Sequence, residues 1–338
     1  MQIHGTSPLS KRPWAFVLMA LWIATSEVGA GGNSSPWSAP ENLGPTVNSE
    51  FSEQGPAITN RGRSLYFGSD RPGGVGGIDI WVSQRPSRRE PWGAPMNVSA
   101  VNSPFIDNIP WFSPGGHWMF FNSNRPGGSG DVDIWAAWRP DPEDDFGWEP
   151  PVNLGATVNS PSFDGGVSYL RRGRHGRSLL YFASGRPPGT RERVDIYVSE
   201  QGHDGSFGPP VLVSELNSEF NDARPSVRSD GRELFFFSNR PGSALSDLWT
   251  STRRSISHPW SPPVNLGATV NTAFGEFQPH IAPDARTLYF ISDRPGGFGL
   301  LDLYVTTRRR PDKDDHDNDD HDDDDGGDRH DEDGHHHE

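Results

Sequence analysis

One carboxylate recurs in each of five stretches of the chain: Glu53, Asp107, Asp164, Asp222 and Glu276. Acids repeated in this way can gather around a symmetry axis, where they would hold a calcium ion or accept hydrogen bonds from sugar hydroxyls. The same pattern also serves a structural use, in which each acid satisfies backbone N–H groups of its own repeat. Hydrolysis of a glycosidic bond asks for more, namely two carboxyls at a set separation in unequal surroundings. The five acids sit in near-identical repeats, and no single Asp or Glu stands apart in the setting of a raised-pKa acid. On that ground the residues point away from catalysis.

Arginine is the second repeated chemistry. Ser69-Asp70-Arg71-Pro72-Gly73-Gly74 returns around Arg125, Arg186, Arg240 and Arg294, with spacings of 54, 61, 54 and 54 residues. Arg71 with Asp79, and Arg294 with Asp302, flank a glycine-rich loop. They would pair within one hairpin, or together clamp an anionic ligand. Repeat 3 adds Arg171, Arg172, Arg174 and Arg177 in the turn after its inner strand. Arg85, Arg88, Arg89, Arg253, Arg254 and Arg308 to Arg310 fall on the same face. This reads as an anion-binding or envelope-contact patch, or as a solvated rim. A third chemistry lies in the tail, where His316, His321, His330, His335, His336 and His337 stand among aspartates and would take a divalent transition metal.

These residues need elements to position them, and the repeat supplies the elements. A period near 54 residues suits a four-stranded propeller blade. Each unit reads as an inner strand following a proline (Pro56-Ala57-Ile58-Thr59), then an aromatic strand (Leu65-Tyr66-Phe67), an Asp-led strand (Asp79-Ile80-Trp81) and a short outer strand near Asn-Leu-Gly. The expected fold is all-β: a single five-bladed propeller of four-stranded antiparallel blades. Repeats lie near 45–98, 99–154, 155–213, 214–266 and 267–307. The chain opens on a fourth-strand segment, 37–44, and ends on a third-strand segment. The last blade is therefore expected to be closed by the N-terminal strand, which leaves no open sheet edge.

Composition sets the remaining bounds. The 338 residues carry a formal net charge of −15 and no cysteine. Residues 312–338 hold 15 acids against Lys313 and Arg329, or −13, so the body is nearly neutral. No basic stripe suggests nucleic acid as a partner. Residues 1–30 read as a signal peptide, with Lys11 and Arg12 before an apolar run too short to span a bilayer. The tail from 311 has almost no apolar residue to bury and is expected to be disordered.

The Leu-Tyr-Phe, Ser-Asp-Arg-Pro-Gly-Gly and Asp-Ile-Trp blocks resemble the TolB-type, WD-like β-propeller repeat of exported bacterial proteins, over about residues 36–309. That resemblance implies binding and scaffold roles in the cell envelope. The expectation is a secreted or periplasmic, monomeric, non-enzymatic propeller that recognises a protein or glycan ligand. No cofactor is required, calcium at the axial acids and a divalent metal on the tail being the ions its residue types would take. The alternatives are a glycoside-hydrolase-like enzyme with carboxylates around the funnel, and an envelope accessory protein with a metal-collecting tail.

Overall fold

The computed structural model describes residues 37–308 except 172–176, 188 and 190–192. Residues 1–30, read above as a signal peptide, together with Arg172, Arg174 and the six tail histidines, lie outside the described residues. Twenty strands form five antiparallel sheets. After β1 (Glu41–Asn42), blade 1 holds β2 (Glu53–Ile58), β3 (Ser64–Ser69), β4 (Asp79–Gln84) and β5 (Met96–Asn97). Blade 2 holds β6 (Asp107–Phe112), β7 (Trp118–Ser123), β8 (Asp133–Trp138) and β9 (Val152–Asn153). Blade 3 is β10 (Asp164–Leu170), β11 (Leu179–Ser184), β12 (Asp195–Glu200) and β13 (Val211–Leu212). Blade 4 is β14 (Asp222–Val227), β15 (Glu233–Ser238), β16 (Asp247–Thr252) and β17 (Val264–Asn265). Blade 5 contributes β18 (Glu276–Ile281), β19 (Thr287–Ser292) and β20 (Asp302–Thr307), and β1 is its fourth strand.

Closure follows the sequence expectation. Glu41 pairs with Val305 and Asn42 with Tyr304, and Trp37 bridges to Arg308. The inner strands touch in ring order, β18 meeting β2 to complete the circle.

The second strand of each blade is sandwiched between two neighbours, so both of its faces must be apolar. In β3, Leu65 and Phe67 pack with blade 5 while Tyr66, pointing the other way, packs with blade 2. β7 divides likewise, Met119 and Phe121 toward blade 1 and Phe120 toward blade 3. Period-two alternation thus builds five inter-blade cores. Each fully buried Phe contributes roughly 1.5–3 kcal/mol to holding adjacent blades together.

One detail of the inner strands departs from the sequence reading. They start three residues before the proline expected to precede them, so Pro56, Pro110, Pro225 and Pro279 lie inside β2, β6, β14 and β18. Each interrupts its ladder at a bulge, for example between Gln54 and Ala57. A proline cannot donate to a ladder, and an edge strand facing the axis with a bulge at that point has no need of the donor.

Candidate active site

The five repeated acids begin the inner strands, at the same end of the blade as the Arg-Pro-Gly corners. Glu53 stands opposite Ser69 in the β2–β3 ladder, and the chain turns there into Arg71. Arg71 Nη2 donates to Glu53 Oε1 at 2.7 Å and to the Val47 carbonyl at 2.7 Å. Ser49 Oγ donates to Glu53 Oε1 at 2.6 Å, and the Ser49 N–H donates to Oε2 at 3.0 Å. The guanidinium also lies over Phe67 and Trp81. The same unit recurs as Arg125–Asp107, Arg186–Asp164, Arg240–Asp222 and Arg294–Glu276. All five acids are fully buried. Burial pushes Glu53 up from its ordinary value, and the bonds from Ser49 and Arg71 oppose that rise.

An acid sealed in this way offers no oxygen to a sugar or to a shared ion on the axis. Among the described residues no group of three or more His, Cys, Asp or Glu side chains could hold a metal ion. The expected pairing of Arg71 with Asp79 is also replaced. Asp79 accepts from the N–H groups of Val75 and Gly76 and from Asn97 Nδ2, so it caps its own loop. A Cβ on Gly74 would collide with its Oδ2, which is why the second glycine of the corner is needed. Blade 3 breaks the pattern. Arg193 Nη2 reaches Asp195 Oδ2 at 3.2 Å, and burial, with Asp222 nearby, raises the Asp195 carboxyl.

On the opposite face three arginines of the anticipated basic patch, Arg85, Arg253 and Arg308, are structural. Arg85, Arg139, Arg253 and Arg308 occupy one position in four blades. Each lies over a tryptophan (Trp92, Trp148, Trp260 and Trp37) and donates to a turn carbonyl (Gly62, Gly116, Gly231 and Ala285). Arg308 also holds both oxygens of Glu233. Of the repeat-3 insertion, Arg171 is exposed, and Arg177 is half-exposed at 3.7 Å from Glu200.

The acids that are not repeated lie elsewhere. Between blades 1 and 2, on this second face, a cleft of about 420 Å³ is lined by Arg61, Arg63, Ser64, Gln84, Glu143 and Asp145 among others. Glu143 is partly open, and both Arg61 (3.0 Å) and Arg63 donate to its Oε2. Asp145 is buried beneath it. Its Oδ2 accepts from Ser64 Oγ and Gln84 Nε2 at 2.6 Å each, and its Oδ1 from Tyr66 Oη at 2.8 Å and Arg139 Nη1 at 3.1 Å. Burial and the adjacent Asp145 charge push the Tyr66 hydroxyl well above its ordinary value, so it remains a donor. Sequence reasoning passed over both acids. The available signal was a length difference: Arg139 and Trp148 are nine residues apart, while Arg85–Trp92 and Arg253–Trp260 are seven apart. A second cleft, of about 400 Å³ between blades 5 and 1, presents Arg88, Asp284 and Tyr289.

No protein-family model matches the chain, and no curated protein does. Solved structures do. A thermostable family-43 glycoside hydrolase shares 13% identity over 78% of this chain and 91% of its own, with a TM-score of 0.54. The alpha-L-arabinofuranosidase from Lactobacillus brevis shares 12% over 79% and 92%, with a TM-score of 0.53. TolB from Acinetobacter baumannii shares 16% over 76% and 55%, with a TM-score of 0.46. The likeness is one of fold. It corrects the expectation of a non-enzymatic scaffold, because this architecture is one that glycoside hydrolases use. The premise behind that expectation, uniform repeats without a distinctive acid, fails at Glu143 and Asp145. Among the described residues no helix is long and apolar enough to cross a membrane.

Proposed function

We propose that this protein is a glycan-active enzyme of the glycoside-hydrolase type, working in the cleft between blades 1 and 2. The observation that carries the reading is the partly open, non-repeated carboxylate of Glu143 standing in that cleft, with the buried Asp145 beneath it. Arg61 and Arg63 both donate to Glu143 Oε2 and so fix this carboxylate in the cleft, in the place a base or nucleophile would take. Asp145, with four donors, anchors the loop that presents it. Arg61 and Gln84 supply donors for sugar hydroxyls along the same cleft. The TolB-type repeat is, in this reading, the lineage of the blades and not of the activity. The leader supports a secreted or periplasmic site of action, and the Asp/His tail a role in collecting divalent metal.

The test is turnover of an aryl-glycoside panel that includes arabinofuranosides and xylosides. Glu143→Gln should lower kcat by about 100-fold or more while leaving the melting temperature within about 1 °C, since the side chain is partly exposed. Wild-type protein inert on the whole panel, or equal turnover by the variant, would remove the assignment.

A further inference from the structure

The axis itself holds a different chemistry. The third residue of each inner strand sits at the bulge with positive φ: Gly55 (55°), Ile109 (66°), Gly166 (67°), Arg224 (60°) and Gln278 (55°). For Ile109 this left-handed conformation is strained. The five positions are structurally equivalent, yet four residue types fill them. Ile109, Gly166, Arg224 and Gln278 line a cavity of about 10 Å³ together with Pro56, Pro110, Pro225 and Pro279. That volume suits one water-sized centre.

Arg224 dominates this cavity. It is 8% exposed, and among the described residues it has no acidic partner; its Nη1 is buried without a hydrogen-bond acceptor. The side chain leaves blade 4 and crosses the axis. A Cβ on Gly166 of blade 3 would collide with its Cδ, and one on Gly55 of blade 1 would lie 3.0 Å from its Nη2. Two glycines thus clear a track for one guanidinium. Gln278 Oε1 accepts from the Gly55 N–H at 2.6 Å, which leaves its NH₂ as the donor it can offer. The acids that open the same two strands as Arg224 and Gln278, Asp222 and Glu276, are committed to Arg240 and Arg294. Burial brings Arg224 down to about 9, so it is still a cation at neutral pH. A buried charge without a counter-charge is unfavourable, so the fold gains from any anion that reaches it.

We propose that the propeller axis binds a small monovalent anion of halide size, held by the Arg224 guanidinium and the Gln278 amide. The cavity is too small for sulfate or phosphate, and because the prolines there have no N–H, the side chains of Arg224 and Gln278 supply the donors. A funnel of about 80 Å³ on the second face, lined by Asn60, Tyr169, Arg171 and His280, lies on the other side of Trp111, which lines both spaces. The site is independent of the cleft at Glu143.

Bromide soaked into crystals of the wild-type protein gives a direct readout. An anomalous peak at hydrogen-bond distance from Arg224 supports the proposal, and surface peaks with none on the axis overturn it. In solution, chloride should raise the wild-type melting temperature relative to gluconate at equal ionic strength, by about 5 °C at a hundredfold excess over Kd. Arg224→Met should abolish that difference, and an identical chloride effect in the variant would overturn the assignment. If the variant does not fold, the wild-type bromide map decides.

Discussion

The Arg-Pro-Gly corners and the axial bulges are both present five times, but they use repetition in opposite ways. At the corners the residues barely change. Ser or Thr, an acid, and an arginine stacked on two aromatic rings form the same closed unit in every blade. At the bulges the backbone is the same while the side chains are Gly, Ile, Gly, Arg and Gln. A side chain that recurs with its partners satisfies a need that every blade has. Where only the backbone recurs, the side chain is free to answer a need of the whole ring. The two proposed sites fall at positions of the second kind and in the non-repeated loop that carries Glu143.

Breaking a corner is the largest expected effect. Arg125→Ala leaves Asp107 buried without its cation, at about 3–5 kcal/mol. The same change in any other blade should cost a similar amount, because the unit is the same. Denaturant unfolding of the five single variants checks this. A spread wider than the mean would mean that the corners are not equivalent.

The corners also show what could be read in the sequence. The period, the strand order, the closing segment and the placement of each acid beside its corner were all legible, since five copies average out local ambiguity. The partner of Arg71 was not. Asp79 is eight residues away and Glu53 eighteen, and spacing alone favours the nearer acid. The β2–β3 hairpin brings the farther one opposite Ser69, and the glycine loop takes Asp79 for its own N–H groups. The axial bulges left only an indirect trace, the prolines, which read as strand starts. Glu143 was missed for the opposite reason, because attention to what repeats hides a loop present once.

On the axis side, His280 predicts an acid limit to stability. Its Nε2 accepts from the Ile58 N–H at 3.2 Å and its ring packs on Trp111. Burial, with Arg224 nearby, lowers it from 6.5 to about 3. The native state therefore refuses a proton that the unfolded chain accepts. Stability should fall as pH drops from 6.5 toward 3, by about 4 kcal/mol in all, and this contribution is flat above pH 7. His280→Asn should flatten the fall in that window. If wild type and variant lose stability in parallel between pH 6.5 and 4, His280 is not the titrating group.

The smallest effect separates the two reasons a glycine is kept. Gly166 on the axis has φ of 67° and no room, its Cβ position being filled by the Arg224 side chain. Gly267 on the outer turn of blade 4 has φ of 80° and nothing within 4 Å of where a Cβ would stand. Both substitutions to alanine force an L-residue into the left-handed region, at about 1–2 kcal/mol. Only Gly166→Ala must also displace a buried guanidinium, which adds about 1–3 kcal/mol of overpacking. Gly267→Ala should therefore show the conformational cost alone and keep the chloride response intact. Gly166→Ala should lose more stability and also weaken that response, because the arginine has to move. Equal losses, with the chloride response unchanged in both, would mean that Arg224 does not need the track that Gly166 clears.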